Sequence, residues 1–337
     1  MSATHPPRLE QALDQATEAP LLVGLSGGLD SCVLLHALSR NPRLAHQGLR
    51  AVHVHHGLHA DADRWAQHCR DLCKAIGVPL VVTRVEVQRD AGDGLEAAAR
   101  KARYTAFEQQ MQAGDVLVTA HHRDDQADTF PLRALRGSGP DGLAAMRSLR
   151  PFATGQHWRP LLQVPRSQLL DYAHAHGLAW QEDPSNLDTH HDRNFLRQRV
   201  MPLLRDRWPQ ADLALLRSAL LIADAVELLE QEDLAALQQV RADEPQSLSA
   251  IALLALPAPR RARVLRRWGE SLGLPPLPRE GVTHIESDLL QARMDASAKF
   301  RWGDIEIQRW RDLLHVQRLR EPLPADWQTR WDGKQPL

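Results

Sequence analysis

Four short apolar runs punctuate the first part of the chain: Leu21-Leu-Val-Gly-Leu25, Leu49-Arg-Ala-Val-His-Val-His55, Leu80-Val-Val-Thr-Arg-Val-Glu-Val87 and Val116-Leu-Val-Thr-Ala120. Between them lie 31–39, 63–76 and 95–112, where apolar residues return at helical spacing. A strand-helix-strand alternation of this kind folds as an α/β protein with a doubly wound, mainly parallel, Rossmann-like sheet. The first and last runs are apolar throughout, as strands covered on both faces must be. Ligands of such sheets lie outside the carboxyl ends of the strands. Three polar clusters fall there: SGGLDS after the first run, HHGLHADADRW after the second and HHRDDQAD after the fourth. One crevice can collect all three.

Beyond Trp208-Pro209 the texture changes. A long amphipathic helical stretch covers 212–242, the helical pattern continues over 247–256, and 257–272 carries Arg260, Arg261, Arg263, Arg266 and Arg267. A proline-rich break, LGLPPLPRE, precedes a helical segment near 282–294. A small β meander then spans 300–316, with Gly303-Asp304 and Arg311-Asp312 as its turns. The expected domains are 1–209, an α/β ligand-binding unit; 210–320, a smaller, mainly helical unit ending in the meander; and 321–337, a tail or the start of a further domain. A length of 337 residues suits two or three domains.

No apolar run approaches the roughly 18 residues that span a bilayer, and the N-terminus lacks a signal-peptide core. These features point to the cytoplasm and away from a membrane. Cys32, Cys69 and Cys73 are an odd number in apolar or helical settings, which suits a reducing compartment. Cys69 and Cys73, one helical turn apart, read as core residues, and the neighbouring histidines lack the paired spacing of a zinc clamp. Net charge is −1, so a nucleic-acid partner would have to be met by local clusters.

Ser26-Gly-Gly-Leu-Asp-Ser31 ends a strand and opens a helix, which presents free backbone N–H groups and the positive helix end to whatever lies above. Glycines there let an anion approach the backbone. No Gly-Lys-Ser/Thr pair follows to grip a β/γ-phosphate, and Asp30 by itself would repel one. A Mg²⁺ ion between Asp30 and a pyrophosphate reverses that sign. A glycine turn with a capping Asp remains the plainer alternative.

The same hexapeptide resembles the PP-loop of ATP pyrophosphatases, which attack the α-phosphate of ATP. Further motifs, in order, resemble tRNA(Ile)-lysidine synthases: His53-Val-His-His-Gly-Leu58 with Trp65 and His68-Cys69; Glu96-Ala-Ala-Ala-Arg100 with Arg103-Tyr104; and Ala120-His-His-Arg-Asp-Asp-Gln126. Arg136-Gly-Ser-Gly139 with Gly142-Leu143, Arg159-Pro-Leu-Leu162, and Glu182-Asp-Pro-Ser-Asn186 with Arg193-Asn194 and Arg197 complete the series. The resemblance covers about residues 20–210. It implies a ligase that adenylates the carbon-2 carbonyl oxygen of the wobble cytidine in a CAU anticodon of isoleucine tRNA and lets the ε-amine of free L-lysine displace AMP. ATP and Mg²⁺ are then required, and a homodimer is left open.

On that resemblance Ser26, Gly27, Gly28, Leu29, Asp30, Ser31 and His55 bind ATP, with Asp30 as magnesium ligand. Asp30, Arg100 and Asp125 are the expected catalytic residues. Asp125, Asp128, Asn194 and Arg197 are expected to bind lysine, the two carboxylates forming an acidic pocket at i and i+3 on one helix. Asp128 stands where the family normally has Glu. Pro131 should kink that helix or confine it to its downstream part. For tRNA phosphates the candidates are Arg136, Arg193, Arg205, Arg260, Arg263 and Arg267. Another PP-loop tRNA-modifying enzyme, such as a thiolase, and a nucleotide-binding sensor without turnover are the alternatives.

Overall fold

The computed structural model describes residues 9–14, 18–87, 94–292, 298–319 and 328. Two compact units divide the chain, Met1–Val226 and Glu227–Leu337. The division falls inside one long helix, Ala211–Val240. Apart from 328, the expected tail 321–337 lies outside the described residues, as does the end of the segment expected near 282–294.

The first unit is built on a six-stranded sheet in the order β3-β2-β1-β4-β6-β5. Its strands are β1 (Leu21–Gly24), β2 (Arg50–His55), β3 (Leu80–Arg84), β4 (Val116–Val118), β5 (Leu149–Phe152) and β6 (Gly155–Trp158). All neighbours run parallel except β5 and β6. The four expected strands are therefore present and parallel, joined by the helices Leu29–Arg40, Ala62–Ile76 and Leu95–Gln110.

Alternation along β1 explains the double winding. Leu21 and Val23 face one core with Leu34, Leu35 and Leu38, while Leu22 faces another with Val52, Leu117 and Phe107. A strand buried on both faces must be apolar at every position, and this one is. Gly24 ends β1 where a Cβ would meet the Phe107 ring at 2.9 Å.

The β5–β6 hairpin was not expected. Its strands have four residues each and carry Arg150, Pro151, Gln156 and His157, so neither reads as apolar. Pro151 is tolerated because β5 is an edge strand.

Two further expectations are corrected. The helix Arg123–Leu135 is not confined to the part downstream of Pro131 but begins eight residues before it. Tertiary bonds hold it on both sides of the proline: Gln126 donates to and accepts from the Met146 backbone at 2.8 and 2.9 Å, and Arg133 donates to the carbonyls of Gly142 and Ala145, each at 2.7 Å. In the second unit, Ser247–Ser249 is a strand, β7, and the helix starts only at Ala250–Ala255. Ser249 makes the boundary by accepting the Ala252 amide at 3.2 Å as an N-cap.

β7 joins the meander β8 (Lys299–Trp302), β9 (Ile305–Trp310) and β10 (Leu313–Arg318) in an antiparallel sheet ordered β7-β10-β9-β8. Its turns are Gly303-Asp304 and Arg311-Asp312, as expected. Leu248, Ile305, Ile307, Leu314 and Val316 pack with Trp268 and Leu237 into this unit's own core. Among the described residues no helix is long and apolar enough to cross a membrane.

Candidate active site

The loop after β1 must leave the sheet and enter a helix within a few residues. Gly27 does so at φ +89, and a Cβ there would lie 3.1 Å from Cys69 Sγ. The Ser31 hydroxyl organises the turn: it accepts the amides of Ser26 and Gly27 at 3.1 and 3.2 Å and donates to the Gly28 carbonyl at 3.1 Å. The Gly28 amide reaches Ser26 Oγ at 3.2 Å. Three consecutive amides are thus held by serine hydroxyls and remain outside the sheet ladder, at the N-terminus of a helix. Leu29 contributes backbone only, since its side chain is buried in the core. The Gln181 amide donates to the Gly27 carbonyl at 2.9 Å and brings the following loop against the cradle.

Asp30 occupies the first turn of the helix. Its Oδ2 lies 3.6 Å from His122 Nε2 and its Oδ1 lies 3.7 Å from Arg166 Nε. Oδ1 is buried and has no hydrogen-bond partner. His122 Nε2 is also 3.5 Å from Asp125 Oδ2, and the His122 amide donates to that oxygen at 3.0 Å. His122 therefore stands between the loop carboxylate and the carboxylate of the helix after β4. Burial pushes its pKa down, but Asp125, Asp30 and Asp124 outweigh burial and raise it.

Asp125 and Asp128 share one side of the helix, as their spacing requires, but the pocket they form is not acidic. Arg193 Nη2 donates to Asp125 Oδ1 at 3.1 Å and Arg197 Nη2 to the same oxygen at 2.9 Å. Arg197 also donates to Asp128 Oδ2 through Nε at 2.8 Å and Nη2 at 2.6 Å. Burial pushes the Asp125 carboxyl up, yet His122, Arg193, His121 and Arg197 together hold it well below the usual carboxylate range. For Asp128, fully buried, desolvation wins and the carboxyl is raised against the pull of Arg197. Arg197 follows a short helix, Asp192–Phe195, that widens into a π turn over Leu196–Val200. Asn194 spends its amide donors on the Ser185 and Asp188 carbonyls at 2.9 and 2.8 Å, and so fixes the loop 185–188.

The other expected residues lie further out. His55 Nε2 pairs with Asp63 Oδ1 at 3.2 Å. His53 instead reaches the chain just before the loop, its Nδ1 2.8 Å from the Leu25 carbonyl. Arg100 is exposed and lies over the Tyr104 ring at 5.0 Å.

All six arginines expected to meet phosphate are engaged with carboxylates. Arg136 pairs with Asp192 at 3.2 Å on the surface, Arg193 with Asp125, and Arg205 with Asp212 through two bonds of 2.7 and 2.9 Å. Arg260 pairs with Glu232, Arg263 with Asp233 at 2.7 Å and Arg267 with Glu270 at 2.7 Å. Arg263 and Arg267 are mostly buried, because their face of Ala258–Ser271 meets Asp233 of the long helix Ala211–Val240.

His122, His53 and Arg166 are the site residues that sequence reasoning did not assign. The position of His122, between a strand end and a helix start, was the available signal. The cysteines are inert by comparison: burial pushes Cys32 up to about 12 and Cys73 up to about 11, and Cys69 higher still. Among the described residues no group of three or more His, Cys, Asp or Glu side chains is placed to hold a metal ion.

Residues 1–204 match the PP-loop domain family, and residues 248–315 match the TilS substrate binding domain. The chain is 55% identical to the tRNA(Ile)-lysidine synthase of Xanthomonas axonopodis pv. citri, over 94% of this chain and 72% of that protein. It is 52% identical to the protein of that name from Xylella fastidiosa strain 9a5c, over 94% and 72%, and 46% identical to that of Escherichia coli O157:H7, over 88% and 69%. Among solved structures it is similar to the U34-tRNA thiolase NcsA from Methanococcus maripaludis, with TM-score 0.47 and 17% identity over 60% of this chain and 70% of that one. A glycine-serine cradle at the end of β1, facing a His-Asp-Arg cluster at the end of β4, thus coincides with matches at both ends of the sequence and with relatives aligned over nearly all of it: the chain belongs to the tRNA(Ile)-lysidine synthase family.

Proposed function

We propose that this protein ligates free L-lysine to carbon 2 of the wobble cytidine in the CAU anticodon of isoleucine tRNA, consuming ATP and releasing AMP and pyrophosphate. The observation that carries the proposal is the placement of the Ser26–Ser31 cradle opposite Asp125, Asp128 and Arg197, with His122 bridging the two. Adenylation of a carbonyl oxygen needs the α-phosphate held still and its charge offset. The amides of Ser26, Gly27 and Gly28 can pass from serine hydroxyls to phosphate oxygens, and the helix N-terminus favours the negative charge. Asp30, with one buried oxygen unpartnered, is the residue that would hold a magnesium ion here. When bound, that ion neutralises phosphate charge.

Lysine carries both an α-carboxylate and ammonium groups, and a pocket in which carboxylates already face guanidiniums suits such a zwitterion. Arg197 and Arg193 can turn to the lysine carboxylate while Asp125 and Asp128 receive ammonium charge. His122 then keeps Asp125 and Asp30 close without mutual repulsion. Asn194 orders the loop that borders the site. Since ATP, lysine and tRNA meet in the cytoplasm, we place the reaction there.

Incorporation of radiolabelled lysine into a CAU-anticodon isoleucine tRNA transcript tests the proposal, with methionine tRNA as the control. Pyrophosphate release should require both lysine-accepting tRNA and ATP, and Asp30→Asn should lower it by at least about 100-fold while tRNA affinity stays within about twofold. ATP turnover indifferent to tRNA would refute the proposal.

A further inference from the structure

β5 runs antiparallel to β6, so its first residues lie at the carboxyl end of β6, the end at which β4 delivers the site residues. Leu149 pairs with Trp158 and Arg150 with His157. Thr119 Oγ1 ties this edge to the site, 2.8 Å from His157 Nε2 and 2.8 Å from His121 Nδ1. The rings of Tyr104, Phe152 and His157 meet there with centroids 5.7 to 5.9 Å apart.

A guanidinium lies over two of these rings: Arg100 over Tyr104 at 5.0 Å and Arg150 over Phe152 at 5.9 Å. Stacking fixes the plane of a guanidinium and leaves its N–H edges for a ligand. Arg159 lies behind them, 4% exposed, donating to the Arg147 carbonyl at 2.8 Å with Nη2 3.0 Å from His157 Nδ1. Its Nε is buried with no hydrogen-bond partner. Among the described residues Arg100, Arg150 and Arg159 make no ion pair. Burial and the charges of Arg150 and Arg100 push the Arg159 guanidinium down to about 10. Arg136, Arg193, Arg197 and Arg205 of the same unit are each matched by a carboxylate, whereas these three are not.

We infer that Arg100 and Arg150, seated on the Tyr104–Phe152–His157 ring cluster, grip a backbone phosphate of single-stranded RNA next to the nucleotide that enters the crevice. The inference rests on the proposed tRNA-modifying activity and adds the strand's docking point. Both guanidiniums are exposed at the rim, outside the loop that suits a free nucleotide. An anion there must be held by more than this contact, as a phosphate in a polymer is.

The test is equilibrium binding of the CAU-anticodon isoleucine tRNA transcript to the full chain over a KCl series. Arg150→Gln should weaken binding about fivefold and reduce the slope of log K against log salt by about 0.7, the value for one single-strand phosphate contact. KM for ATP and for lysine should stay unchanged while KM for tRNA rises. Arg150→Lys should restore the slope and only part of the affinity, since the stacked fork is lost. Arg64→Gln, an exposed arginine on the helix Ala62–Ile76, should change neither quantity. Unaltered affinity and slope in Arg150→Gln would overturn the docking point. Failure of the wild-type protein to bind or modify the transcript would instead overturn the functional proposal beneath it.

Discussion

Arg197 holds Asp128 with two donors, at 2.6 and 2.8 Å, and shares one of them with Asp125 at 2.9 Å. One arginine therefore bonds both carboxylates of the helix after β4, and Arg193 brings a second positive charge to Asp125.

Removing Arg197 leaves Asp128 buried and uncompensated. Breaking a buried pair from one side costs about 3–5 kcal/mol, and the lower end applies here because more than a third of the Arg197 side chain faces solvent. Urea unfolding of Arg197→Gln should show that loss, and Arg197→Gln with Asp128→Asn should recover most of it. A single variant as stable as the parent would show that the pair carries no stability.

The two loop glycines should behave differently. Gly27→Ala forces a side chain to φ +89 with Cys69 Sγ at 3.1 Å, which costs about 1–2 kcal/mol in backbone strain alone. Gly28 has φ −80 and a Cβ there meets nothing closer than 3.5 Å, so Gly28→Ala should keep the melting temperature of the parent. Equal melting temperatures for the two variants would contradict this account of the cradle.

Burial above all keeps three histidines neutral: His157 is pushed down to about 2, His121 to about 3 and His56 to about 4. In the unfolded chain each takes up a proton near pH 6.5. Below that pH the unfolded state binds more protons at these positions, so stability falls as pH drops from about 6.5 toward 4. His122, raised in the fold, acts in the opposite sense, its contribution being full below pH 6.5 and lost as pH rises through its folded value. His36, His53 and His68 are lowered too, chiefly by burial, so six histidines stand against one and the urea midpoint should be lower at pH 5 than at pH 7.5. His157→Gln should flatten that dependence, and an unchanged slope in the variant would remove His157 from the explanation.

Thiol reactivity offers a simple check on the packing beneath the loop. With Cys32, Cys69 and Cys73 buried and their thiols raised, a neutral thiol reagent at pH 8 should label none of them before unfolding. Denaturant should then expose all three at once. Rapid labelling of the native protein would show an opening under the cradle that the packing does not contain.

Local chemistry made much of this protein legible. The runs 21–25, 49–55, 80–87 and 116–120 read as strands, and the first and last, apolar throughout, as strands covered on both faces. SGGLDS read as a strand-to-helix turn whose amides lie outside the sheet ladder, and the spacing of Asp125 and Asp128 placed them on one side of a helix. The meander turns at Gly303-Asp304 and Arg311-Asp312 were equally local.

Long-range pairing was beyond the sequence. The β5–β6 hairpin forms because a sheet edge accepts strands too short and polar to announce themselves, and β7 forms because β10 is there to pair with it. The helix extends upstream of Pro131 as well, where Gln126 is anchored to the Met146 backbone while Arg133 is anchored to Gly142 downstream. The charge state of the site was decided in the same way. Asp125 and Asp128 looked like an acidic pocket until the fold brought Arg193 and Arg197 across some seventy residues of chain to face them. A residue's type and spacing fix what it can bind, but burial and the partners delivered by other elements decide what charge it presents.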